Sequence, residues 1–184
     1  MADAKREEQS RLRTTLLDQL AYLYDEIEVL KGVVDRVPEK LQEGRPTVDE
    51  LSLKETYGLL ATLDADVRLP RLRQIIAEDE PRFDAIDEQA LAAQSDWNAR
   101  PMEAILEQVQ AARQTLLEAF QALPEVAWSR AAHFSDPAER GQPVRRDVYS
   151  FAHHITQHDT DVLRAIGYRL HDSHLTSRPQ DLPK

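Results

Sequence analysis

The sequence predicts an all-α protein, a four-helix bundle with long connections, and three observations carry the prediction. The chain has only 5 glycines in 184 residues, while Ala, Leu, Glu, Gln and Arg are plentiful, a composition that favours helix over sheet. Four segments carry apolar residues at alternating steps of three and four, the stripe of a helix packed on one face. Prolines and a capping sequence fall at the ends of those segments, where helices start and stop.

The first segment runs from about Ser10 to Val37. Leu16, Leu20, Leu23, Ile27, Leu30 and Val34 form its stripe, and Pro38 ends it because proline cannot continue the backbone ladder. Glu39 to Leu51 is a polar connection. Ser52-Leu53-Lys54-Glu55 then reads as a capping box, the serine accepting from the third helical N–H while the glutamate reaches back to the cap. The helix it opens carries Leu59, Leu60, Leu63, Val67, Leu69, Leu72, Ile75 and Ile76, with Pro70 inside the pattern predicting a kink or short break.

Glu78 to Asn98 reads as a loop with a short helical piece near Asp87 to Ala93. Pro101 fits the first turn of a third long helix, with Ile105, Val109, Ala112, Leu116, Phe120 and Leu123 on its stripe and Pro124 closing it. Glu125 to Arg145 is another connection. The fourth helix spans about Arg146 to Arg169, with Val148, Phe151, Ile155, His158, Val162 and Ile166 on one face. Stripes of this kind are buried only against one another, so residues 1–170 form one bundle domain and residues 171–184 a loosely ordered tail.

Charge and composition narrow the function. Acidic residues outnumber basic ones 33 to 23, for a formal net charge of -10. Phosphate-backbone binding needs clustered Lys and Arg, and here the arginines are scattered, so no nucleic-acid partner is expected. An acidic surface also disfavours anionic membranes, and no apolar run is long enough to span a bilayer. Met1 to Arg13 lacks an apolar signal core, which makes the cytoplasm the expected location. Without cysteine, thiol chemistry would require a thiol from outside.

Six histidines are the soft ligands available. His154 and His158 lie one turn apart on nearly the same face of the fourth helix, because a helix advances about 100° per residue. Two imidazoles so spaced can share a divalent ion; equally, they can be hydrogen-bonded packing. His153 points elsewhere, toward solvent. Trp128 can wall a pocket near a bundle end or seal the core, and Trp97 has the same two readings. No Gly-rich phosphate loop, Gly-x-Ser-x-Gly elbow or His-Glu-x-x-His sequence is present.

Taken in order, Ser52-Leu53-Lys54-Glu55, Leu69-Pro70-Arg71-Leu72, Leu123-Pro124 through Trp128, Gly141, and His158-Asp159-Thr160-Asp161-Val162-Leu163-Arg164-Ala165-Ile166 resemble the DinB-like superfamily across nearly the whole chain. The resemblance implies a four-helix bundle with long crossover connections. Many members hold a divalent metal with three histidines, one from the second helix and two from a His-x-x-x-His in the fourth, and several transfer or rearrange groups using a low-molecular-weight thiol. Residue by residue, His158 matches the first histidine of the fourth-helix pair. Val162 takes the place of the second, and Leu59 that of the second-helix histidine. Aliphatic side chains cannot ligate a metal, so the resemblance implies a degenerate centre.

A site shifted by one turn is the alternative. If the second and fourth helices run antiparallel, Asp64 approaches His154 and His158, and the three make a 2-His-1-carboxylate set suited to Zn, Ni, Fe or Mn. Three functions stand side by side. The first is a small-ligand-binding or stress-response module, a homodimer through a bundle face, with a pocket lined by Leu59, Val162 and Trp128 beside the histidines and Asp64. The second is a divalent-metal-dependent transferase acting with an external thiol. The third is a purely structural bundle.

Overall fold

The apolar stripe of the first segment builds a long helix, α1 (Ala2–Lys31). Leu16, Leu20, Leu23 and Ile27 are all buried. The computed structural model describes residues 2–32, 36–135 and 142–176. Val34, the last residue of the expected stripe, and Gly141 lie outside the described residues. A short α2 (Glu39–Glu43) follows.

The capping box forms as read. Ser52 Oγ accepts from the Glu55 N–H at 3.1 Å, and Glu55 Oε2 accepts from the Ser52 N–H at 2.7 Å. It opens α3 (Leu53–Thr62). Gly58 lies against the Trp97 indole so closely that a Cβ there would sit 2.1 Å from the ring; any larger residue would force the two segments apart. Trp97 is buried, one of the two outcomes open to it.

The disturbance expected at Pro70 takes a specific form. Leu63–Arg68 is a π-helical segment, with the Leu69 N–H donating to the Asp64 carbonyl, and α4 (Leu69–Ala77) continues from it with Pro70 in its first turn. Proline has no N–H to give, and the wider turn shifts the hydrogen-bond register before it. Such π-bulges often occur at functional sites.

Asp87 caps α5 (Glu88–Ala92), its carboxylate accepting from the Ala90 N–H at 3.0 Å. The third long helix is α6 (Met102–Gln121), with Pro101 just before its first residue. The fourth, α7 (Val148–Thr176), starts two residues later than the stripe suggested and runs past Arg169. Of the expected tail, residues 171–176 are helical and 177–184 lie outside the described residues.

The two long connections are where the structure departs from a purely helical chain. A 3-10 turn spans Glu125–Ser129. Three short strands, β1 (Arg82–Phe83), β2 (Ala131–Ser135) and β3 (Pro143–Asp147), then form a sheet in the order β1-β2-β3. β2 pairs parallel with β1 and antiparallel with β3. The strands are too short and too polar to show a period in the sequence. Pairing satisfies backbone groups that the loops would otherwise leave to water.

α1 packs on α6 and α7, and α3 packs on α6. α7 runs antiparallel to the second long helix. Near its end Arg169 donates to the Leu51 carbonyl at 2.8 Å, while further back Asp159 meets Arg68.

The core divides into two apolar clusters. One, at the sheet end, contains Leu16, Leu20, Leu72, Ile75, Phe120, Trp128, Phe134, Phe151 and Ile155. The other contains Leu23, Ile27, Tyr57, Leu60, Trp97, Ile105, Val109 and Ile166. On three helices a charged residue falls between the two. Asp64 lies between Leu60 and Leu72, Arg113 between Val109 and Leu116, and Asp159 between Ile155 and Ile166. No helix among the described residues is long and apolar enough to cross a membrane.

Candidate functional site

The charged layer between the two clusters is a closed ionic quartet. Asp64 and Arg113 are both fully buried, and Asp159 and Arg68 nearly so. Arg113 grips Asp64 with two nitrogens, Nε to Oδ2 at 2.7 Å and Nη2 to Oδ1 at 3.2 Å. It also donates Nη2 to Asp159 Oδ2 at 2.6 Å. Arg68 Nη1 donates to Asp64 Oδ1 at 2.7 Å and to Asp159 Oδ1 at 2.9 Å.

Two carboxylates and two guanidiniums cancel in charge, and all four carboxylate oxygens are engaged. Burial alone would raise the Asp159 pKa. The adjacent Arg68 and Arg113 outweigh it and hold that carboxyl well below the usual range. Asp159 and Asp64 in turn push Arg68 upward against its own burial.

Arg68 links the quartet to His158 and Glu88. Arg68 Nη2 lies 2.8 Å from His158 Nδ1, and His158 Nε2 lies 3.2 Å from Glu88 Oε1. Burial works against the imidazolium, but hydrogen bonds with Asp159 and Glu88 prevail and raise the pKa to about 9. Glu88 is lowered in turn by its bond with His158. The 2.8 Å contact itself belongs to the neutral ring, whose Nδ1 accepts from Arg68 while Nε2–H donates to Glu88. In the protonated ring Nδ1–H has Asp159 Oδ1 as its acceptor, 3.5 Å away.

In neither form does His158 hold a lone pair free for a metal. Asp64 is turned toward arginine instead, both its oxygens accepting from Arg68 or Arg113. The helices are antiparallel, as the shifted metal set required, but the Arg68 guanidinium stands between Asp64 and His158. The donor set therefore does not fit an ion shared by His154, His158 and Asp64. Among the described residues no group of three or more His, Asp or Glu is placed to hold a metal.

In front of the quartet lies an open cleft of about 260 Å³. The π-helical segment and α4 supply Leu63, Val67, Arg68 and Arg71; the loop before α5 supplies Asp84, Ala85 and Ile86; α5 supplies Glu88. The sheet adds Phe134, Ser135 and Arg146, and α7 adds Phe151, His154, Ile155 and His158. His154 and His158 thus share the cleft, while Asp64 is sealed behind it. His153 is exposed, as expected.

The three expected pocket residues lie elsewhere. Leu59 is buried against Leu63 and Ala92. Val162 packs on the Leu23–Ile166 cluster. Trp128 is fully buried between Phe120 and Tyr149, with ring centroids 5.8 Å and 4.9 Å away. Each is apolar and finds a dry core contact, which the cleft mouth does not offer.

Sequence reasoning missed Arg68, Arg71, Arg113, Arg146, Asp159 and Glu88. Arg113 was the most findable, since it interrupts the apolar stripe of α6 one turn after Val109. A cation there needs a buried anion opposite it.

No protein-family model matches the sequence, and no curated protein matches it. A search of solved structures finds YfiT from Bacillus subtilis, described as a probable metal-dependent hydrolase with an unusual four-helix bundle topology. The alignment has a TM-score of 0.59 at 15% identity, covering 84% of this chain and 87% of that one. At that identity the likeness shows the fold alone, a four-helix bundle.

Proposed function

We propose that the chain is a small-ligand-binding module on a DinB-like bundle, with the cleft between the π-helical segment, α5, the sheet and α7 as its site. One observation carries the reading. Arg68 stands between Asp64 and His158, where an ion shared by those two would have to sit, while the cleft in front remains open. Its volume falls just below the ~300–1,000 Å³ common for ligand pockets, which suits a small metabolite. Phe134, Phe151, Ile155 and Val67 give it apolar walls, and a few charged groups converge at its mouth, the usual make-up of a ligand site.

The thiol-transferase reading needs a cation on His154 and His158 to hold a thiolate, and the hydrogen bonds of His158 work against it. YfiT's described activity is not carried over, because the residues here do not fit the metal.

Thermal denaturation with a panel of small organic compounds tests the proposal, beside an Ala85→Trp variant that fills the cleft from its exposed edge. A compound at a hundredfold over its Kd adds about 2.7 kcal/mol to stability, a shift of about 5–10 °C at this chain length. The expected result is a shift in the parent that Ala85→Trp abolishes. A panel without any shift, or equal shifts in both proteins, would overturn the reading.

A further inference from the structure

A second cavity lies at the other end of the bundle, across the ionic quartet from the cleft and within the Leu23–Ile166 cluster. It is small, about 30 Å³, and its wall is hydrocarbon. Leu30 comes from α1, Leu53 from α3, Met102 and Leu106 from α6, and Ile166 and Leu170 from α7. One lining side chain breaks the pattern. Tyr57 is only 4% exposed, and its hydroxyl is buried with no hydrogen-bond partner among the described residues. Burial raises its pKa above the usual value and the nearby Glu26 carboxylate adds to the effect, so the group stays an O–H donor.

Buried hydroxyls nearly always find a partner, and one left without it asks for an acceptor. A water suits the place poorly, because a buried water is held by about two to four polar groups. The other polar side chain of the wall, Gln42, turns its amide nitrogen to the Val37 carbonyl at 2.8 Å. A larger cavity of about 430 Å³ adjoins the first and shares Leu53 and Leu170 as its wall. Leu41 and Pro46 extend the apolar surface there. At its rim Arg45 is paired with Glu55 at 2.6 Å, Arg169 donates to the Leu51 carbonyl at 2.8 Å, and Lys40 is exposed to water. Nothing in this passage demands a charge. What is unmet is one hydrogen bond at the inner end of an apolar path.

We propose that this end of the bundle binds a short, neutral aliphatic carbonyl compound. Its oxygen accepts from the Tyr57 hydroxyl, and its chain leads out past Leu53 and the half-buried Leu170 into the outer cavity. The site is separate from the cleft, and neither assignment depends on the other.

The chain has two methionines, Met1 and Met102, and Met102 lines the inner cavity. In protein labelled with carbon-13 at the methionine methyls, the Met102 signal therefore reports occupancy of this site and not of the cleft. Titrating the full chain with 2-heptanone should move that signal saturably. Tyr57→Phe should fold with an equal or higher Tm, because the hydroxyl it removes has no partner. The same variant should bind 2-heptanone about fivefold more weakly, the factor that one neutral hydrogen bond is worth. A Met102 signal that stays still up to the solubility limit of the ketone would overturn the proposal. Equal affinity in the parent and in Tyr57→Phe would do the same, since the hydroxyl would then take no part in binding. A clearly lower Tm for Tyr57→Phe would show that the hydroxyl is already bonded within the protein, and the ground for the site would be gone.

Discussion

Arg113 and Arg146 are the same side chain put to opposite uses. Arg113 is fully buried, and its donors go to Asp64, Asp159 and the Leu20 carbonyl. Arg146 sits at the rim of a cleft with its guanidinium over an aromatic ring. The interior arginine is committed to the fold, because a buried charge must be compensated where it stands. The rim arginine is only half-buried. Charge saturated inside a bundle specifies how helices dock; charge at a cleft mouth stays within reach of solvent. Arg68 stands on the boundary, with one nitrogen in the quartet and the other on His158.

The largest effect should come from breaking the interior set. Arg113→Ala leaves two carboxylates buried beside one guanidinium, and the loss should be about 3–5 kcal/mol, read by urea denaturation. Replacing the whole quartet tests whether its charge matters or only its balance. A combined Asp64→Leu, Arg68→Met, Arg113→Met, Asp159→Leu protein should range from unchanged to about 1–4 kcal/mol more stable, provided the volumes pack. A protein as unstable as Arg113→Ala would show that the ionic geometry itself holds the helices in place.

At the rim the same chemistry should cost little. Arg146→Gln loses a cation–π contact worth about 0.5–1 kcal/mol, and a loss matching that of Arg113→Ala would erase the distinction between the two regions. A pH dependence through His158 probes the boundary between the two regions. Its pKa is raised to about 9 in the folded protein, against about 6.5 when unfolded. Its contribution to stability is therefore complete below the unfolded value and is lost as pH rises through the folded one. Glu88→Gln removes one of the hydrogen bonds that raises it, so NMR titration of the His158 ring should give a lower pKa in that variant, and an unchanged value would show that Glu88 has no hold on the ring.

Much of the bundle was legible because periodic stripes, caps and prolines are local signals. The Ser52–Glu55 box, the Asp87 cap and the disturbance before Pro70 all occur where the residues indicate. The sheet was not legible, since its strands pair across long connections and carry Arg, His and Ser among their few residues. In the site, the sequence placed His154 and His158 on one face, and both do line the cleft. It singled out Asp64 but gave it the wrong neighbours. Helical spacing reports which residues share a face of one helix; it is silent on which arginine crosses from another. Trp128 seals the core against Phe120 and Tyr149, one of the two readings the sequence left open.

The central claim is that the interior charge is saturated by its own partners, with Arg68 standing where an ion would have to bridge Asp64 and His158. The most direct test is elemental analysis of untagged protein after incubation with zinc, nickel or manganese and desalting, beside a His154→Ala/His158→Ala variant. The account predicts the same substoichiometric metal in both. About one equivalent in the parent, absent from the variant, would contradict it, because Arg68 would then have yielded its place to an ion.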